Sequence, residues 1–195
     1  MQNAQELFRL TKKASAVVRR LTDQQRTVIL NRLADIIEES VKEIQDENLK
    51  DLERMETSDP KYDRLLLTAP RIQDLADSLR EVAVLPDPTG EVLVDKTLDN
   101  KLSIKKIAVP MGVVGVIYES RPNVTVDVAS LCLRSGNACV LKGGKEAHFS
   151  NVCLIGLIHK VLQEFKVDKH AVTLLPADRT FTQELLEATH YIDLI

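Results

Sequence analysis

The sequence predicts an α/β protein in which N-terminal helices and a β-hairpin lead into a partial, truncated doubly wound (Rossmann-like) parallel sheet. Three observations carry that prediction. The first 85 residues are highly charged, with apolar residues three or four apart. Residues 90–109 hold two β-prone runs about a turn, and from residue 111 short apolar runs alternate with helical ones. At 195 residues and 44% hydrophobic content, the chain can bury a sizeable core.

Thr22 and Gln25 have the spacing of a capping box. Ile29, Leu33, Ile36, Ile37, Val41 and Ile44 then recur on one face, which predicts one long amphipathic helix. Pro70 suits a first helical turn, and Ile72, Leu75, Ala76, Leu79, Val82 and Ala83 line one face until Pro86 and Pro88. The charges between them read as solvated surface. These helices occupy residues 1–89, the N-terminal helical part of the chain. The segment EVLVDKTLDNKLSIKKIAV turns at Leu98-Asp99-Asn100, so residues 90–109 form a hairpin that either bridges the two parts or projects toward a partner chain.

Residues 110–195 read as strand and helix in alternation: GVVGVIY, NVTVDVASLCLRSG, NACVLK, AHFSNVCLIGLIHKVLQEF, AVTLLP, RTFTQELLEA and YIDLI. The strands are continuous apolar runs, as expected when helices cover both faces of a parallel sheet with right-handed crossovers. The chain stops at Ile195 inside what reads as a strand, with no helix to cover it. The expectation is a fragment of a longer protein.

Composition removes several classes of function. Lys and Arg number 26 against 29 Asp and Glu, a net charge of -3, which disfavours nucleic-acid or membrane binding by a basic surface. No leader pattern opens the chain, and no run approaches the roughly 18 apolar residues of a membrane span, so a cytoplasmic protein is expected. Cys132, Cys139 and Cys153 sit in apolar stretches without C-x-x-C spacing, which suits small core residues in a reducing compartment. His148, His159, His170 and His190 show no metal-ligand spacing, so no metal is expected.

In doubly wound sheets ligands bind beyond the carboxyl ends of the strands, and two such ends carry unusual residues: Glu119-Ser120-Arg121-Pro122-Asn123 and Lys142-Gly143-Gly144-Lys145. Pro122 ends its strand and starts a helix, whose free N–H groups favour negative charge. Asn123 has two readings there, an ordinary N-cap or a neutral donor to a developing oxyanion. Glu119 and Arg121 either pair with each other or contact a ligand. The paired glycines and lysines make either a tight turn or a close approach to phosphate and ribose. Neither the G-x-G-x-x-G nor the Walker pattern is present.

Taken as one stretch, VPMGVVGVIYESRPNVTVDVASLCLRSGNACVLKGGKEAHFSN, residues 109–151, closely resembles the gamma-glutamyl phosphate reductases, a family of the aldehyde dehydrogenase superfamily. DPTGEV at 87–92, the hairpin and YIDLI fit the same family, and the likeness covers essentially the whole chain but about the first half of the family's length. The resemblance implies NADPH-dependent reduction of L-glutamyl 5-phosphate to glutamate 5-semialdehyde, the second step of proline synthesis. It implies that the nucleophilic cysteine lies in a catalytic domain absent from this chain, so the fragment alone is inactive. Asn123 matches the family's oxyanion donor, and Lys142 the lysine at the adenosine ribose. Lys145 stands where NAD-using relatives carry an acid, which favours NADP(H), with Gly143, Gly144 and Glu119 also on the cofactor side. Ser120 and Arg121 are substrate-side expectations. The family further implies a homo-oligomer when complete and association with glutamate 5-kinase. The alternative is a truncated, non-catalytic nucleotide-binding or oligomerisation module.

Overall fold

The protein is described from a computed structural model covering residues 3–195. Helix α1 (Ala4–Val18) starts on Asn3, whose side chain accepts from the Gln5 amide. Helix α2 (Asp23–Glu39) opens with the expected capping box, Thr22 and Gln25 each bonding the other's backbone N–H. The predicted long helix is two helices, because the chain breaks at Ser40 (φ -107, ψ 17) and resumes as α3 (Val41–Leu52). At the break the Ser40 N–H bonds the carbonyl of Ile37, three residues back. Ile36, Ile37 and Ile44 are nevertheless all buried. A turn in the axis keeps the apolar spacing on both sides, so periodicity passes through it unmarked.

After a short α4 (Tyr62–Leu65), α5 (Ala69–Ala83) begins with Thr68 as cap and Pro70 in its first turn. Its predicted face is buried at Ile72, Leu75, Ala76, Leu79 and Ala83. Strands β1 (Val92–Thr97) and β2 (Ser103–Ile107) form the expected antiparallel hairpin, with Thr97 opposite Ser103. Every residue of both strands is exposed, so the hairpin projects from the body.

The sheet comprises β3 (Val113–Ile117), β4 (Ala138–Lys142) and β5 (Val172–Leu174), all parallel, in the order β3-β4-β5. Helices α6 (Pro122–Arg134), α7 (His148–Glu164) and α8 (Thr180–Glu187) follow the three strands in turn. Alternation along β4 divides the core. Cys139 and Leu141 face one cluster with Leu30 of α2, Leu79 of α5, Leu133 of α6 and Ile158 of α7. Ala138 and Val140 face another with Phe8 of α1, Leu185 of α8 and Ile192. Helices thus cover both faces, which is why the strands lack polar alternation.

The expected strand at YIDLI is reduced to one parallel bridge, Leu194 with Val114. The Asp193 carboxylate accepts the Val113 amide at 2.8 Å and also pairs with Lys12, occupying a donor that a longer ladder would use. Since β4 holds the other edge of β3, this bridge lies on the opposite side, and the order reverses at β3. That reversal is a topological switch point, where doubly wound sheets open a crevice.

The N-terminal helices share the sheet's core and are tied to it by two buried arginines. Arg26 donates to Asp87 at 3.0 Å and to the Arg134 carbonyl, while Arg134 pairs with Asp23 at 2.6 Å. Among the described residues no helix is long and apolar enough to cross a membrane.

Candidate functional site

The stretch after β3 builds one wall of a cleft. Arg121 precedes proline and is held extended (φ -135, ψ 90), so it becomes the cap residue of α6 and Pro122 the first helical residue. Asn123 is therefore not the N-cap, and that reading is corrected. It stands one place further in, where its side chain reaches a residue four positions on: Asn123 Nδ2 donates to Asp127 Oδ2 at 3.1 Å. The second N–H of the amide has no protein partner among the described residues. Burial pushes the Asp127 carboxyl up, and the bond from Asn123 opposes that shift.

The cleft has a volume of about 460 Å³ and is lined by Arg121, Asn123 and Asp127 on one side and by Arg64, Arg71 and Asp74 on the other, with Leu66, Leu67 and Leu75 between. The 65–67 segment is fixed by Asn48, which is 1% exposed and bonds the Leu65 carbonyl at 2.9 Å and the Leu67 amide at 2.8 Å. Asn48 also donates to Ser150, and the buried Asp51 accepts the Phe149 and Ser150 amides at the start of α7. One polar network thus positions the cleft wall against α7.

The other residues of the motif are dispersed. Ser120 is 3% exposed. The surface pair between Glu119 and Arg121 is not formed: Glu119 lies 3.9 Å from Lys61, with its side chain 83% exposed, and Arg121 lines the cleft.

At the end of β4, Lys142 is buried and donates to the carbonyls of Gly143 at 3.0 Å and Ala177 at 3.1 Å, tying that end to the loop after β5. Burial lowers its pKa, against the charges of Asp178 and Glu146. A Cβ on Gly143 would lie 2.4 Å from Asn151 Nδ2, and one on Gly144 would lie 3.4 Å from the Glu119 Cα. The close approach these glycines permit is thus made by the protein's own segments, with the end of β3 lying against the end of β4. Lys145 is exposed in the turn before α7 and has no ion pair among the described residues.

Sequence reasoning missed the chain that joins these two strand ends. Thr125 Oγ1 donates to Asn151 Oδ1 at 2.8 Å, so the Tyr118 hydroxyl, 2.6 Å away, donates to Thr125. Burial pushes Tyr118 up to about 12, keeping it a neutral donor. The i,i+4 spacing of Asn123 and Asp127 was a readable signal. Tyr118 meets Thr125 seven positions on, across the strand-to-helix turn, and Asn151 and Asn48 meet partners farther off, so none of the three leaves a local signal.

None of the three cysteines lines the cleft. Cys132 and Cys139 lie in the core, where the hydrogen bond with Cys132 and full burial push the Cys139 thiol up. Cys153 is half-buried and pushed up to about 11 by burial. Among the described residues no group of three or more side chains is arranged to hold a metal ion.

The aldehyde dehydrogenase family profile matches residues 1–195. A gamma-glutamyl phosphate reductase of Bacteroides fragilis is 49% identical over 193 residues, 99% of this chain and 46% of its own length. One of Legionella pneumophila is 50% identical over 187 residues, 96% of this chain and 45% of its own. The chain therefore spans about half the length of the curated relatives it matches. The crystal structure of a gamma-glutamyl phosphate reductase from Thermotoga maritima superposes with a TM-score of 0.91 at 32% identity, over 96% of this chain and 46% of that one. The corresponding structure from Saccharomyces cerevisiae gives 0.89 at 28% identity, over 100% and 51%.

Proposed function

This chain belongs to the aldehyde dehydrogenase family, and from that premise we propose that it is the cofactor-binding half of an NADPH-dependent reductase of L-glutamyl 5-phosphate. The observation that carries the reading is the place of Asn123, in the first turn of the helix leaving the switch-point strand, on the wall of a cleft. An amide N–H fixed there is suited to a carbonyl oxygen that gains negative charge, because the donor is pre-oriented and does not titrate near neutral pH. Arg121 sits beside it as a cation for the acyl phosphate. Ser120, buried next to Arg121, acts in this reading through the shape of the loop.

The residues present suit a dinucleotide. The crevice at the switch point is bounded by the ends of β3 and β4. Lys142 lies against the main chain of the glycine loop, and the exposed Lys145, which has no ion pair among the described residues, offers a cation to a 2'-phosphate. Glu119 borders Gly144 on the same rim. When bound, NADPH supplies the hydride. The thiolate that attacks the acyl group is none of Cys132, Cys139 and Cys153, which lie outside the cleft, and we assign it to the part of the family's length that this chain does not span. The exposed hairpin, with Val92, Leu93, Val94, Ile104 and Ile107 open to solvent, is an arm for homo-oligomerisation.

Two measurements test the proposal. Calorimetric titration of the chain is expected to show NADPH binding more tightly than NADH. Joined to the remaining half of the Bacteroides relative, the chain is expected to support phosphate- and NADP⁺-dependent oxidation of glutamate 5-semialdehyde. Turnover by residues 1–195 alone would overturn the placement of the nucleophile.

A further inference from the structure

The cleft beside α6 carries both signs of charge without neutralising them. Of the charged side chains lining it, Arg71 and Asp63 pair with each other, Arg71 Nη2 lying 2.8 Å from Asp63 Oδ1. Arg64 and Arg121 make no ion pair among the described residues, nor do Asp74 and Asp127. Asp127 is the informative member. It is half-buried, and its carboxylate accepts one hydrogen bond, from the neutral amide of Asn123. A carboxylate drawn partly out of water without a cation is unfavourable, and nothing in the fold requires it there, since Asn123 would bond an uncharged acceptor as well. A ligand cation at that point offsets the cost. Across the cleft, Arg64 is left free to take an anion, and Leu66, Leu67 and Leu75 line the same space. An acid and a base lining one cleft together with aliphatic side chains complement an α-amino acid, whose ammonium and carboxylate share one carbon and whose alkyl chain leaves from it.

We propose that this cleft recognises the amino-acid head of the substrate, with Asp127 receiving the α-ammonium, Arg64 the α-carboxylate, and the side chain running over Leu67 and Leu75 so that its acyl end meets Asn123. The inference rests on the reading of the reaction given above. It adds that selectivity for an α-amino acid resides in this chain, in Asp127 and Arg64. Asp127 also holds the Asn123 amide, so the ammonium and the acyl oxygen are received by two groups already bonded to each other.

The test is equilibrium binding to the 195-residue chain, followed by NMR chemical shifts, with L-glutamate, N-acetyl-L-glutamate and glutarate as probes and NADPH titrated in parallel. L-glutamate is expected to bind at least about tenfold more tightly than either of the others. Asp127→Asn, which keeps an acceptor for Asn123, is expected to erase that preference. Arg64→Gln is expected to weaken L-glutamate and N-acetyl-L-glutamate alike, and the unfolding midpoints of both variants should match the parent's. Equal binding of the three probes, a preference that survives Asp127→Asn, or no L-glutamate binding by a chain that binds NADPH would overturn the proposal and leave the cofactor reading standing. The preference for L-glutamate in a chain that does not bind NADPH would uphold the proposal and sink the cofactor reading. Failure of both ligands would sink both.

Discussion

Asn123 and Asp127 are joined across one turn of α6 by a 3.1 Å hydrogen bond from amide to carboxylate. The bond uses one N–H of the amide and fixes the plane in which the other lies. An oxyanion donor needs this kind of constraint, because a freely rotating amide would have to be ordered during the reaction. In the assembled enzyme, Asn123→Ala is expected to lower kcat by about 10²-fold or more with little change in the affinity for NADPH. An unchanged kcat would reduce Asn123 to a helix residue.

Lys145 is exposed in the turn before α7, with no ion pair among the described residues, and in the proposed reading it faces the cofactor. Replacing it with Glu reverses the charge offered to a 2'-phosphate. Lys145→Glu is expected to shift the ratio of NADPH to NADH binding constants by about tenfold toward NADH, roughly 1.4 kcal/mol. Calorimetry of the two proteins decides, and an unaltered ratio removes Lys145 from the cofactor site.

Gly136 follows α6 at φ +75, and a Cβ there would lie 2.8 Å from Arg26 Nη2 and 2.9 Å from Pro110 Cγ. Backbone strain and crowding act together, because Arg26 is held by Asp87 and the Arg134 carbonyl and cannot swing clear. Gly136→Ala is expected to cost about 2 kcal/mol or more, read as a fall in the urea midpoint. An undiminished midpoint would show that the Arg26 contacts are loose.

Glu38 accepts both guanidinium nitrogens of Arg80, at 2.7 and 2.8 Å, and the Gln73 amide. These bonds lower its pKa from 4.5 to about 2. A folded-state pKa below the unfolded one means that the contribution is complete above pH 4.5 and is lost as pH falls toward 2. Glu38→Gln is therefore expected to be less stable than the parent at pH 7, by a small margin because the pair is largely solvated, with the gap narrowing between pH 4.5 and 3. A gap independent of pH would assign the effect to packing.

Much of the fold was legible because its elements are written locally. The capping box at Thr22, Pro70 in a first turn, the hairpin turn after Leu98 and the apolar runs of β3 to β5 each depend on residues within a turn or a strand of one another. The break at Ser40 and the shrinkage of YIDLI to a single bridge were not legible. The first keeps the apolar spacing intact, and the second depends on Asp193 meeting Lys12 and the Val113 amide from far away in the chain.

The sequence by itself determined the class of fold, the polar strand ends after β3 and β4, and the family. These follow from local periodicity, from proline and glycine chemistry, and from a contiguous stretch of residues. Only the tertiary structure decided which side chains share a space. It carried Glu119 toward Lys61, buried Ser120, and brought Arg64 from the helical half to the cleft that Asn123 and Asp127 line. The reason is physical: backbone preferences act over a few residues, whereas a cleft is made by core packing and buried hydrogen bonds such as those of Asn48, whose partners lie 17 and 102 positions away.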